Sequence, residues 1–349
     1  MHIYNFIPNL GVGGGQSAMF EMCLAFKKYY PEIKQTIICN TPPGDRSFIE
    51  SYGLKFRVLD NQDTVNLINS NANSNPVVVV NKLHKTNVNF VRYIDKNIPK
   101  IIISHTYTKE PNFNKIDYGD AVVYVSEAMR AIASPHCKVK KKTVILNSIS
   151  GEKFEKIKPV DKDLNFFYTG RINNFNQIKF STQWLSWINS FNFNKPVRHY
   201  YIGSGNQFEH AKEFLKKTKQ NKNQIFLTGN ISNLEKKMSM LKSWDIYLYG
   251  INPNHCEGTS IGILEALSVG VPVIVNDRPS NPELIKNGVN GYVYKDQREA
   301  EGIIGDLIKD PKALLQLRES TLKHFNKHMD IKHNIKKYLD LFSSIKNQK

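Results

Sequence analysis

The sequence predicts an α/β chain of two doubly wound, parallel-sheet domains facing a cleft. Three observations carry this expectation. Short aliphatic runs alternate with helical stretches, the alternation restarts after a charged linker, and 349 residues exceed one ordinary core but suit two of ~150–200 residues each.

In the first half, strands are expected at Ile3–Ile7, Gln35–Cys39, Pro76–Val80, Lys100–Ser104 and Ala121–Val125, with a last one at Val144–Leu146. Val77–Val80 and Ile101–Ile103 are apolar without a period of two, which suits strands covered on both faces. Helices are expected between them at Gln16–Tyr30, Gln62–Asn69, Asn87–Asp95 and Glu127–Ser134. Residues 150–163 are charged and carry Pro159, and read as a linker. The second series has strands at Leu164–Thr169, Val197–Ile202, Gln224–Leu227, Asp245–Tyr249, Pro272–Val275 and Gly291–Val293. Its helices are Lys179–Asn192, Gln207–Lys217, Ile231–Lys242, Ser260–Val269 and Ala300–Lys309. The expected division is 1–155, 156–325, and a basic C-terminal helix over 326–349 that can pack back on the first domain. Ligands of open α/β sheets bind outside the carboxyl ends of the strands, so the cleft is the default site.

Composition bounds the partners. Hydrophobic residues make up 40% of the chain, enough for a sizeable core, and no run approaches the ~18 apolar residues of a membrane span. The N-terminus has no basic region ahead of an apolar stretch, so a cytoplasmic protein is expected. Cys23, Cys39, Cys137 and Cys256 form no C-x-x-C pair and suggest neither a structural zinc nor a disulfide framework. The net charge of +17 makes an anionic membrane surface, a nucleic acid or a phosphorylated substrate a natural partner; the alternative is a lysine-rich compositional bias. Lys138, Lys140, Lys141 and Lys142 crowd one expected loop, and Lys212, Lys216, Lys217, Lys219 and Lys222 form a second cluster.

Two motifs carry chemistry. The run Gly13-Gly14-Gly15 follows the first strand and opens a helix, a phosphate or acceptor loop in which backbone approaches a ligand and helix-start amides face an anion. It is not a dinucleotide fingerprint, because Gly11, Gly13 and Gly14 have the wrong spacing and no acidic ribose ligand follows. The second motif is Glu257-Gly258-Thr259-Ser260-Ile261-Gly262-Ile263-Leu264-Glu265. For a helix starting near Thr259, eight steps of about 1.5 Å place the two carboxylates ~12 Å apart along the axis. That is of the order of the sugar-to-ribose span of a nucleotide-diphosphate sugar, with backbone amides between them for the phosphates. The competing reading makes Glu257 a helix N-terminal charge and Glu265 a surface residue, but Leu264, Ala266 and Leu267 flank Glu265.

The 257–265 segment resembles the glutamate–seven residues–glutamate signature of the GT-B retaining glycosyltransferases of family 4. Tyr168-Thr169-Gly170-Arg171, Ile202-Gly203-Ser204-Gly205, Pro282-Glu283-Leu284-Ile285 and Asn287-Gly288-Val289-Asn290-Gly291 are similar to further segments of that family. So are the glycine run and Ser104-His105-Thr106 in the first half. The resemblance implies two Rossmann-like domains and transfer of a sugar, with retention, from a nucleotide-diphosphate sugar to an acceptor hydroxyl. It implies that Glu265 accepts hydrogen bonds from the donor ribose and that Glu257 lies beside the sugar hydroxyls. Ser260, Ile261 and Gly262 would help hold sugar and phosphate, with Gly203 beside the donor. Arg171 would hold the leaving diphosphate, joined by Lys179 if a short insertion is allowed, since the family's spacing falls near Asn176. His105 would sit beside the donor sugar.

No cofactor and no metal are expected. Asp161-Lys162-Asp163 reads as D-x-D but lies in the charged linker, and His324, His328 and His333 are interleaved with lysines. The favoured acceptor is a cell-envelope glycan or lipid-linked precursor, with the chain peripheral on the inner face of the cytoplasmic membrane. The alternatives are a glycosyltransferase acting on DNA bases and a non-catalytic nucleotide-sugar-binding protein.

Overall fold

A computed structural model describes residues 1–348 apart from 12, 43–46, 84–88, 106–115, 152–163, 171, 173–181, 194, 219–222, 232 and 251–257. The chain divides into two compact units. One comprises Met1–Ser150, Cys256–Ile261 and Met329–Lys349; the other comprises Gly151–His255 and Gly262–His328.

The first unit holds a seven-stranded parallel sheet. Its strands are β1 (His2–Phe6), β2 (Lys34–Cys39), β3 (Phe56–Val58), β4 (Pro76–Lys82), β5 (Lys100–Ser104), β6 (Ala121–Tyr124) and β7 (Lys141–Val144), in the order β3-β2-β1-β4-β5-β6-β7. β4 and β5 are buried along their whole length, as aliphatic runs without alternation require. The order reverses between β1 and β4, which opens a crevice at their carboxyl ends. The helix Gly14–Tyr29 follows β1, and the C-terminal helix Ile331–Lys346 belongs to this unit, its Phe342 ring lying 6.0 Å from that of Phe26. Asn334 in that helix donates to Leu146 O and Ser148 Oγ, each at 3.0 Å.

The second unit holds a six-stranded parallel sheet of β8 (Leu164–Thr169), β9 (Val197–Ile202), β10 (Gln224–Gly229), β11 (Ile246–Tyr249), β12 (Val273–Asn276) and β13 (Gly291–Tyr294). Its order is β10-β9-β8-β11-β12-β13, so the reversal falls between β8 and β11. Inside lies an aromatic stack: Tyr168 sits 4.9 Å from Tyr201 and 5.4 Å from Tyr249 between ring centres. Buried Arg318 reaches back from the helix Pro311–His328 to Asp245, 3.4 Å away.

Several expectations change. The last strand of the first sheet is Lys141–Val144, not Val144–Leu146, so Lys141 and Lys142 stand on an edge strand and not in a loop. Four consecutive pairs with β6, from Ala121↔Lys141 to Tyr124↔Val144, fix that register, and edge strands accept lysine. Asn87–Asp95 contains a 3₁₀ turn at Asn89–Tyr93, with 87 and 88 outside the described residues. The short elements Phe56–Val58 and Ser47–Glu50 carry too few residues for any period to show. Among the described residues no helix is long and apolar enough to cross a membrane.

Candidate functional site

In the first unit the glycine run sits at the carboxyl end of β1, beside the reversal. Gly13 is the N-cap of the helix Gly14–Tyr29, and the first turn carries no acidic side chain, so its amides face no carboxylate of their own. Gly15 packs so closely on Leu83 that any side chain there would collide with it, and it lies 3.5 Å, measured from an added Cβ, from His105 Cγ. A larger residue there would have to turn the end of the Leu83 side chain aside.

His105 follows β5 and is 7% exposed. Its backbone N donates to Lys82 O at 3.2 Å, and its Nε2 lies 3.0 Å from Asn81 Oδ1 at the end of β4. Burial lowers its pKa to about 4, so it is a neutral imidazole at physiological pH. Burial also pulls the neighbouring Lys82 ammonium down to about 8.

The segment Gly258–Ile261 is seated on this same unit. Thr259 Oγ1 donates to Val125 O, and Asn147 Nδ2 donates to Thr259 O at 3.1 Å. A Cβ on Gly258 would strike Val125, while one on Gly14 would meet Ile261 Cγ1 at an ordinary 3.7 Å. These bonds turn Thr259 inward and delay the helix, which runs Ile261–Ser268 instead of starting near Thr259. The spacing of ~12 Å drawn from eight helical steps therefore does not apply, because only the steps after Ile261 are helical. Ser260 is half-buried and Ile261 buried.

In the second unit, Gly262 lies against Thr169, the last residue of β8, and Tyr247 of β11, the two strands that flank the reversal. An added Cβ would stand 2.6 Å from Tyr247 Oη and closer still to Thr169 Oγ1. Those two oxygens lie 3.2 Å apart. Glu265, one turn on, is 4% exposed and pairs with Lys237 Nζ at 2.6 Å, the lysine lying on the helix Leu234–Lys242. A carboxylate so deeply buried requires such a cation. Gly203, at the end of β9, has φ +155° and abuts Gly170 O, where only glycine fits; its N donates to Gly229 O at 2.9 Å.

Thus Gly13, Gly14, Gly15, His105, Ser260 and Ile261 belong to the first unit, and Gly262, Glu265 and Gly203 to the second. Glu257, Arg171, Lys179, Asp161 and Asp163 lie outside the described residues. Sequence reasoning assigned no role to the side chains of Lys237, Thr169, Tyr247, Thr259, Asn147 and Asn81. Thr169, the last residue of an expected strand, and Asn81, just past the end of another, were the positions that carried a signal.

A model of the family described as "Glycosyl transferases group 1" matches residues 150–324, half of the chain. This chain belongs to that family. The architecture of this group 1 glycosyl transferase is GT-B, two Rossmann-like domains. HepE of Anabaena, solved in complex with UDP, superposes with a TM-score of 0.74 at 14% identity, covering 99% of this chain and 100% of that one. TarM of S. aureus, solved with fondaparinux, α-GlcNAc-glycerol and UDP, superposes with a TM-score of 0.77 at 11% identity, covering 98% and 99%. Among curated proteins, the poly(glycerol-phosphate) α-glucosyltransferase of Bacillus subtilis (strain 168) is 32% identical over 131 residues, 36% of this chain. This chain spans only 18% of that relative's length in the match.

Proposed function

We propose that this group 1 glycosyl transferase moves a sugar, with retention at the anomeric carbon, from a nucleotide-diphosphate sugar to a hydroxyl of a cell-envelope glycan or lipid-linked precursor. The observation that carries this reading is Glu265. It is a buried carboxylate on a helix seated by Gly262 against Thr169, at the carboxyl end of β8, and Tyr247 of the adjacent β11, beside the reversal of strand order where a doubly wound sheet takes its ligand. Glu265 accepts the ribose hydroxyls, and the Ser260–Gly262 amides hold sugar and phosphate. Gly203 keeps the neighbouring loop low enough to admit the donor. Arg171 and Lys179 neutralise the leaving diphosphate, Glu257 binds sugar hydroxyls, and His105 lies beside the sugar. The Gly13–Gly15 loop offers helix-start amides to phosphate or acceptor. Catalysis then rests on positioning and on stabilising the departing diphosphate, without metal or cofactor.

The relative that acts on poly(glycerol phosphate) and the neighbours solved with UDP favour a UDP-sugar donor and an anionic envelope acceptor. The net charge of +17 suits such an acceptor, or an anionic membrane surface on the cytoplasmic side. The test is nucleotide release from a panel of nucleotide-diphosphate sugars, UDP-glucose and UDP-GlcNAc first. It is followed by transfer to poly(glycerol phosphate) with NMR of the product's anomeric proton. Release from no donor would refute the reading, and an inverted product would refute retention.

A further inference from the structure

The environment of His105 decides which of its ring nitrogens carries the proton. Asn81, on the adjacent strand and fully buried, reaches two partners. Its Nδ2 donates to Phe6 O at 3.3 Å, and its Oδ1 lies 3.0 Å from His105 Nε2. A backbone carbonyl only accepts, so the amide end of Asn81 must face Phe6 and its oxygen must face the imidazole. An amide oxygen also only accepts, so His105 Nε2 must hold the hydrogen. In a neutral ring Nδ1 is then bare, and it has no hydrogen-bond partner among the described residues.

We propose that Asn81 is a positioning residue that fixes His105 as the neutral, Nε2-protonated tautomer and so leaves Nδ1 as the ring's one acceptor. The catalytic consequence rests on the transferase reading above: beside the sugar, His105 offers an uncharged ring with an acceptor and cannot deliver a proton. The surroundings agree. Asn81 and His105 line a cavity of about 20 Å³ with Met19, Met22 and Ile103. The other titratable side chain lining it is Tyr338, whose phenol burial pushes up. Lys82, next to Asn81 along β4, points to the opposite face by strand alternation. Among the described residues, burial is what lowers the His105 pKa.

The test is ¹⁵N NMR of the imidazoles in the full chain, with His105 assigned through His105→Gln, beside pH–rate profiles on the donor sugar. Wild type should show a neutral, Nε2-protonated His105 from pH 7 down to 5 and no ionisation in kcat over that range. Asn81→Asp is nearly isosteric and puts a carboxylate against Nε2, which favours imidazolium. In it, His105 should hold both protons at neutral pH, and kcat should fall at least tenfold on the acid side of a new limb above pH 7. Asn81→Ser, which adds no charge and whose folding a thermal melt checks, should lose the tautomer preference and lower kcat with little change in the donor KM. A wild-type ring protonated on Nδ1, or an Asn81→Asp profile superposable on wild type, overturns the inference while leaving the transferase reading intact. The expected tautomer in a chain that turns over no nucleotide sugar refutes the transferase reading, and with it any catalytic part for Asn81.

Discussion

Replacing Gly262 with alanine tests whether the helix Ile261–Ser268 really sits on Thr169 of β8 and Tyr247 of β11. Two effects compete. Alanine in a helix is favoured over glycine by about 1 kcal/mol. The added Cβ, however, would stand 2.6 Å from Tyr247 Oη, where ordinary Cβ contacts are 3.4–4 Å, so the helix or the ring must give by about 0.8 Å. Thr169 Oγ1 is closer still, and its side chain can rotate only by breaking its contact with Tyr247. Overpacking of this kind costs about 1–3 kcal/mol, so the clash wins or at best cancels the propensity gain. Gly302 supplies the control: it lies in the helix Gln297–Lys309 with nothing within 4 Å of an added Cβ. Gly302→Ala should therefore stabilise by about 0.5–1 kcal/mol, raising Tm by roughly 1–4 °C in a unit of this size. Gly262→Ala should lower Tm or leave it level, and should weaken UDP binding by tenfold or more, because the displaced turn carries the amides assigned to the phosphates. Calorimetric titration with UDP beside thermal melts reads both. A Gly262→Ala chain that melts higher, as Gly302→Ala does, and binds UDP as wild type does would show that the helix is not held against Thr169 and Tyr247.

Four further outcomes are expected. Glu265→Ala should weaken UDP binding by about 1–3 kcal/mol in a calorimetric titration, and Lys237→Met should weaken it too by leaving the 4% exposed carboxylate unpaired; unchanged affinity in both removes the ribose role. Burial holds His199 down to about 3 and His105 to about 4, against 6.5 in the unfolded chain, so stability is full above pH 6.5 and falls as the pH drops toward those values. Each imidazole then contributes a loss of about 2 kcal/mol by pH 5, and denaturant melts at pH 7 and 5 that coincide would contradict this. Turnover should survive excess chelator; loss restored by one divalent ion would reopen Asp161 and Asp163. Anionic vesicles should retain the chain, less so when Lys140, Lys141 and Lys142 are neutralised, at about 1 kcal/mol per lysine; equal retention of both forms would return the charge to composition.

The fold was legible because each buried strand announces itself: Val77–Val80 and Ile101–Ile103 have no polar alternative, and β4 and β5 are buried throughout. The edges were not. β7 reads Lys141-Lys142-Thr143-Val144, and β3 has three residues; both are strands only because a neighbour offers a free ladder, a fact of pairing that no local pattern records. In the same way, sequence spacing located Glu265 but could not locate the start of its helix. That start is set by Thr259 reaching Val125 O, a partner 134 residues away.

What the structure adds to the candidate site is mostly support. Glu265, Gly262 and His105 stand out in the sequence by residue type and neighbourhood, but Lys237, Tyr247 and Asn81 do not. A lysine in the run Glu235-Lys236-Lys237 looks like its exposed neighbours, and only tertiary packing selects the one that neutralises a buried carboxylate. Asn81 ends a strand of valines, where an amide with no partner would cost several kcal/mol. Its burial is tolerated because both ends are satisfied, by Phe6 O and His105 Nε2. A polar residue at the carboxyl end of an otherwise apolar parallel strand is thus the signal that could have been read. It marks a place where the sheet stops packing and begins to position a neighbouring side chain.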